Sequence, residues 1–175
     1  IERNTDIIDL VLESTIINDY DILIFSQKII SKKEGRIVDL SSVNPSLLAS
    51  GIASSYEKDS RLVELILSES KRIVRMQDGV IIVETNHGFV CANAGIDESN
   101  VKDGYVTMLP VDSDQSADKL KNQIEQRTKK NIAVIISDTF GRPFRLGQAN
   151  IAIGIAGIEP IMDYKGKPDT FGNPL

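Results

Sequence analysis

The chain has 175 residues, 41% of them hydrophobic and 26% charged, a composition typical of a soluble globular protein long enough for one domain with its own core. A formal net charge of -5 weighs against a general nucleic-acid binder, which carries a basic surplus. No apolar run approaches the ~20 residues of a bilayer-spanning helix. The longest, residues 151–158, is broken by Gly154 and Gly157, and Cys91, the only cysteine, permits no internal disulfide, so a cytoplasmic location is expected, with neither nucleic acid nor membrane as partner.

In chain order, Asn4, Thr5 and Asp6 offer cap chemistry for a helix whose apolar positions Ile7, Ile8, Leu10 and Val11 recur at helical spacing. A strand is predicted over residues 21–25. Residues 26–35 then carry Ser26, Gln27 and a run of positive charge; if this segment is helical, Lys28 and Lys32 share one face at a strand end. Such a face suits phosphate, and it equally suits a plain solvated charged helix. Two helices are predicted between Pro45 and Ser70, the second presenting Leu62, Leu65 and Ile66 together.

Short strands are predicted over 73–76, 80–84 and 89–92, with Gln77-Asp78-Gly79 as a hairpin turn between the first two. Residues 105–109 read as a further strand. Residues 113–129 are the clearest helix, with Ala117, Leu120 and Ile124 inward and Glu125 supporting Lys129. Residues 131–137 read as a buried strand, and 148–158 as a strand or a tight pair of strands. Helices and strands mix without a strict βαβ beat, so the predicted class is α+β, with mixed, mainly antiparallel sheets and flanking helices.

Two junctions stand out. At the end of the 131–137 strand the β-branched run stops at Asp138 and Thr139, followed by Gly141, Arg142 and Arg145. After Cys91 the chain passes through Ala92, Asn93, Ala94 and Gly95 to Asp97, with Ser99 and Asn100 beyond. Asp97 and Asp138, on separate loops, are candidates to hold one hard cation such as Mg2+ or Mn2+, with Thr139 adding a hydroxyl and Asn100 a ligand contact. Arg142 and Arg145 offer forked contacts to phosphate or carboxylate. A helix cap or turn at Asp138, a surface turn at Asp97 and exposed salt bridges at the arginines are the plainer readings. His87 reads as a structural residue in a turn and Cys91 as a small buried apolar one. No Walker-type loop, zinc ligand set or nucleophilic triad is present.

Three blocks, Ser26-Gln27-Lys28-Ile29-Ile30-Ser31-Lys32-Lys33-Glu34-Gly35-Arg36, Glu84-Thr85-Asn86-His87-Gly88-Phe89-Val90-Cys91-Ala92-Asn93-Ala94-Gly95-Ile96-Asp97 and Ser137-Asp138-Thr139-Phe140-Gly141-Arg142-Pro143, together with Gly147-Gln148 and Asp163-Tyr164, follow one another in an order and spacing that resembles the coenzyme F420-0:L-glutamate ligases. The resemblance implies a GTP-dependent ligase that adds L-glutamate, through γ-linked amides, to the phospholactyl deazaflavin precursor of coenzyme F420 by way of an acyl phosphate. It also implies a homodimer, for which apolar positions within 151–158 are expected to be exposed. By position it implies Asp97 and Asp138 as ligands of one metal, Thr139 as a ligand of a second, and Gln27, Lys28, Lys32 and Asn100 as GTP contacts. Mg2+ or Mn2+ and K+ are the implied ions. Arg142 and Arg145, by their charge, are expected at the substrate's phosphate or carboxylate. Family members carry a further N-terminal strand and a C-terminal segment with more GTP contacts, so residues 1–175 are expected to form a ligase domain without those parts. An incomplete nucleotide- and metal-binding core and a metal-dependent phosphate hydrolase are the competing readings.

Overall fold

The structure, a computed structural model, describes residues 3, 5–141 and 146–174. Asp6 caps the first helix, α1 (Ile7–Ser14), its Oδ1 accepting the backbone N–H groups of Ile8 at 2.9 Å and Asp9 at 3.2 Å. Strand β1 (Ile22–Ser26) follows and turns directly into α2 (Gln27–Lys33). Next come a short strand β2 (Ile37–Asp39), helices α3 (Leu47–Tyr56) and α4 (Ser60–Ser68), and strands β3 (Ser70–Gln77), β4 (Val80–Thr85) and β5 (Val90–Ala92). Strand β6 (Tyr105–Thr107), helix α5 (Ser113–Thr128) and strands β7 (Ala133–Gly141) and β8 (Gln148–Ala156) complete the regular elements. This is the α+β arrangement read from the sequence. Asp78 and Gly79, at φ 50° and 75°, make the tight turn between β3 and β4, as the Asp-Gly pair predicts.

Three small sheets organise two cores. In the first sheet, β7 is central, parallel to β1 and antiparallel to β8. Helices α1, α2 and α5 cover its inner face, burying Phe25, Ile30, Ala117, Ile124, Val134, Ile136 and Phe140. The second core lies between α3 and α4 and the β3-β4-β5 sheet, with Ile52, Val63, Ile66, Ile81, Val83 and Val106 at its centre. β2 and β6 form an antiparallel pair, and Val106 brings that pair into the second core. Arg36 ties these parts together: its Nε donates to Leu109 O at 2.8 Å and its guanidinium meets Glu69 at 2.7 Å.

Three expectations change. Strand β7 does not stop at Ser137 but runs to Gly141, because β8 goes on pairing with it after β1 has ended at Ser26. Asp138 therefore sits inside a strand, on the stretch whose β1-side edge is left open where β1 becomes α2. Glu125 pairs with Lys121 at 2.8 Å rather than with Lys129. Lys129 is the left-handed C-cap of α5 at φ 57°, which takes its side chain off the helix face. Residues 148–156 form one strand, and among the large apolar residues of 151–158 Ile158 is exposed, whereas Ile153 is buried and Ile151 packs on the first core.

Candidate active site

The site forms where the two cores meet, and each side chain arrives from a different element. From the first core comes Asp138. Successive strand residues face opposite ways, so Asp138 shares the inner face with Ile136 and Phe140 while Thr139 turns outward. Cys91 of β5 lies close enough to feel its charge. Burial pushes the Asp138 carboxyl up from its ordinary range, and the neighbouring Asp97 charge adds to that; a backbone bond from Thr139, the Lys28 charge and a hydrogen bond from Gln27 only partly offset it.

From the second core comes Asp97. The tight turn Asn93–Gly95 delivers it, with Ala94 and Ile96 buried on either side of Gly95. Its main chain is clamped to β6 by a pair of bonds, Asp97 N to Thr107 O at 3.0 Å and Thr107 N to Asp97 O at 2.9 Å. Its carboxylate accepts Ser99 N at 2.6 Å through Oδ1 and Lys28 Nζ at 2.6 Å through Oδ2. Burial works to raise the pKa of Asp97, but the Lys28 and Ser99 hydrogen bonds outweigh it and hold the group below the usual carboxylate range.

Helix α2 supplies the cations, and its lysines share a face as their spacing predicts. Lys28 Nζ donates to Ser99 Oγ at 2.6 Å and Ser99 O at 3.1 Å in addition to Asp97, while Lys32 Nζ donates to Asn100 O at 2.6 Å. Gln27 opens the helix, buried to 2% exposure, with Oε1 accepting the Ser31 hydroxyl at 2.8 Å. Asn100 adopts φ 56°, the left-handed conformation that Asn tolerates better than most residues.

Beyond Lys32 and Asn100 a cleft of about 620 Å³ opens, lined also by Arg3, Ile37, Lys102 and Tyr105. Among the described residues that line it there is no acid, a lining that favours an anion with an apolar part. Neither this cleft nor the two others, one between α1, α2 and α5 and one beside His87, is lined by Asp97 or Asp138, so the cleft adjoins the acid pair through Lys32 and Asn100 alone.

The structure thus brings together Gln27, Lys28, Asp97 and Asp138, with Lys32 and Asn100 as a second pair alongside. Thr139 stands apart: it is exposed, and its hydroxyl bonds Asn150 Oδ1 at 2.9 Å. Arg142 and Arg145 lie outside the described residues. Among the described residues no group of three or more His, Cys, Asp or Glu side chains is disposed to hold a metal, so the acidic donors of this site are a pair. That pair fits a hard cation, since Asp97 already draws the Lys28 ammonium against it and the same charge is felt by Asp138, which burial disfavours as an anion. The Ser99 contact with Lys28 is not legible from residue order; the only local hint is the Asp-x-Ser spacing that lets Ser99 N close a turn on Asp97. His87, read from the sequence as a structural residue, has Nε2 at 2.8 Å from Pro110 O and its ring stacked on Phe89.

The α+β fold thus brings two carboxylates and two lysines together beside a cationic cleft. The chain belongs to the F420-0:Gamma-glutamyl ligase family, whose model matches residues 1–175. It is 51% identical over 157 residues to the coenzyme F420:L-glutamate ligase of Methanothermobacter thermautotrophicus, covering 90% of this chain and 62% of that protein. The protein of the same name from Methanocaldococcus jannaschii is 46% identical over 159 residues, covering 91% and 64% respectively. That from Archaeoglobus fulgidus is 39% identical over 175 residues, all of this chain and 70% of that one. The chain therefore spans somewhat under two thirds of the first two relatives. Among the described residues no helix is long and apolar enough to cross a membrane.

Proposed function

We propose that this chain carries the phosphoryl-transfer centre of a ligase that joins L-glutamate, by a γ-linked amide, to the phospholactyl deazaflavin precursor of coenzyme F420 at the expense of GTP, working as a homodimer. The convergence of Asp97 and Asp138 on a cation, in a chain this similar to ligases of that name, carries the reading. Asp97 and Asp138 would hold Mg2+ or Mn2+. When bound, that ion neutralises charge on the transferring phosphoryl group. Thr139, assigned to a second metal, must then exchange its bond to Asn150.

Lys32, Asn100 and the cationic cleft would take the nucleotide, with Gln27 and Lys28 at its phosphate end. The reaction runs in two displacements. A substrate carboxylate oxygen attacks the γ-phosphorus and GDP leaves; the glutamate nitrogen then attacks the acyl carbon, inorganic phosphate leaves, and the nitrogen gives up a proton. Arg142 and Arg145 are assigned to the substrate's phosphate or carboxylate, and that assignment fails if Arg142→Ala leaves substrate dependence unchanged.

The test measures GDP release with GTP, Mn2+, L-glutamate and the non-glutamylated deazaflavin, with mass spectrometry of the product. A product heavier by whole glutamyl units, absent for Asp138→Ala, supports the ligase. GDP formed without need of glutamate would instead make the site a hydrolase, and no GDP from any combination would leave a binding core.

A further inference from the structure

We propose that Lys28 is a built-in counter-cation of the Asp97–Asp138 pair, which a divalent metal displaces, so that metal entry hands the Lys28 ammonium to an incoming anion. The inference rests on the metal reading above. All three donors of an ammonium group are in use at Lys28: Asp97 Oδ2 at 2.6 Å, Ser99 Oγ at 2.6 Å and Ser99 O at 3.1 Å. In this arrangement Lys28 has no donor left for phosphate. An ion placed on the Asp97 oxygens would also lie within hydrogen-bond reach of a like charge, and only one of the two cations can keep that carboxylate.

The neighbouring lysine shows what is particular to Lys28. Lys32, one turn along the same helix, rests on a neutral carbonyl, Asn100 O, and among the described residues is in no ion pair with a carboxylate that a metal would claim. Displacement needs no movement of the helix, because the ammonium rides on a flexible four-carbon stem. The helix start is held independently, through buried Gln27 and its bond with Ser31. Lys28 touches both the Asp97 carboxylate and Ser99 of the 99–100 turn next to the cleft, so its release couples metal entry to the anion site.

Mn2+ binding to the nucleotide-free chain, measured by calorimetry and by electron paramagnetic resonance, tests this with wild type, Lys28→Met and Lys28→Arg. Lys28→Met keeps the stem and removes the competing charge, so its affinity should rise about tenfold at low ionic strength, the gain shrinking as salt screens the charge. Lys28→Arg keeps the charge and should stay near wild type, which a purely packing role for the stem would not produce. Equal or weaker binding by Lys28→Met overturns the displacement while leaving the metal site intact. Absence of Mn2+ binding by wild type and variant alike overturns the metal site and the displacement with it. Lysine-selective NMR of the wild-type chain is independent of any variant's folding: saturating Mg2+ should move the Lys28 ammonium signal toward that of a free lysine, and an unmoved signal at saturation sinks the idea.

Discussion

Lys28 Nζ and Ser99 Oγ lie 2.6 Å apart although 71 positions separate the two residues in the chain. The contact spans the two cores, since Lys28 lies in the first turn of the helix that follows β1 and Ser99 follows the turn that delivers Asp97. The seam and the two cores it joins lead to four predictions.

Asp138 is held in a place that disfavours its charge, first by burial and then by the Asp97 carboxylate. A carboxyl whose folded pKa is raised binds more protons in the native state than in the unfolded one, so it costs stability once the pH exceeds the unfolded value, ~3.9. Asp138→Asn should accordingly raise the melting temperature of the metal-free chain at pH 7, and the gain should vanish in acid. Mn2+ should stabilise wild type, by about 2.7 kcal/mol at a hundredfold excess over its dissociation constant, and leave Asp138→Asn unmoved. Thermal melts at pH 4 and pH 7, with and without Mn2+, read both effects.

Gly95 holds φ +71°, and a Cβ there would lie 2.8 Å from Leu109 Cγ and 2.9 Å from each of its methyl carbons. Leu109 is 1% exposed and has no room to withdraw. Gly95→Ala should cost about 1–3 kcal/mol from the strained backbone and the overpacking together. Urea denaturation measures it. A Gly95→Ala/Leu109→Ala pair should cost less than the sum of the single changes, because the clash is relieved and the φ strain is not.

Gly154 and Gly51 make a controlled comparison. A Cβ on Gly154 would meet Ser113 O at 2.3 Å, a backbone atom at the start of α5, whereas one on Gly51 meets nothing within 4 Å. Gly154→Ala should push β8 off α5 and leave little soluble folded protein. Gly51→Ala, in the body of α3, should stabilise by about 0.4–1 kcal/mol. Soluble yield and circular dichroism melts distinguish the two.

Cys91 is buried, and burial, joined by the Asp138 charge, pushes its thiol from 9.0 up to about 11, a bond from the Gly95 backbone offsetting little of it. The native chain therefore keeps a proton that the unfolded chain loses, and stability should fall as the pH rises from about 9 through about 11. Cys91→Ala should remove that alkaline slope. At pH 8 the native thiol should react with a disulfide reagent far more slowly than the same thiol in urea.

Much of the local structure was legible because it depends on neighbours in sequence. The Asp6 cap, the Asp78-Gly79 turn, the four-residue spacing of Lys28 and Lys32 and the buried run before Asp138 are all short-range patterns, and each appears as read. Short-range patterns misled in two places: the distant strand β8 carries β7 on to Gly141, and the left-handed C-cap conformation of Lys129 gives Glu125 to Lys121.

Of the site, the sequence by itself determined the chemical parts: two acids and two lysines, of types that suit a cation and a phosphate. Tertiary structure alone decided which of them meet. Asp97 and Asp138 converge because β6 clamps one segment and β7 projects beyond β1 to present the other. Thr139, next to Asp138 in the chain, faces outward because strand residues alternate in direction. That Lys28 rests on Asp97 while Lys32 rests on a neutral carbonyl follows from the path of the 97–100 turn, which no local pattern in the chain encodes.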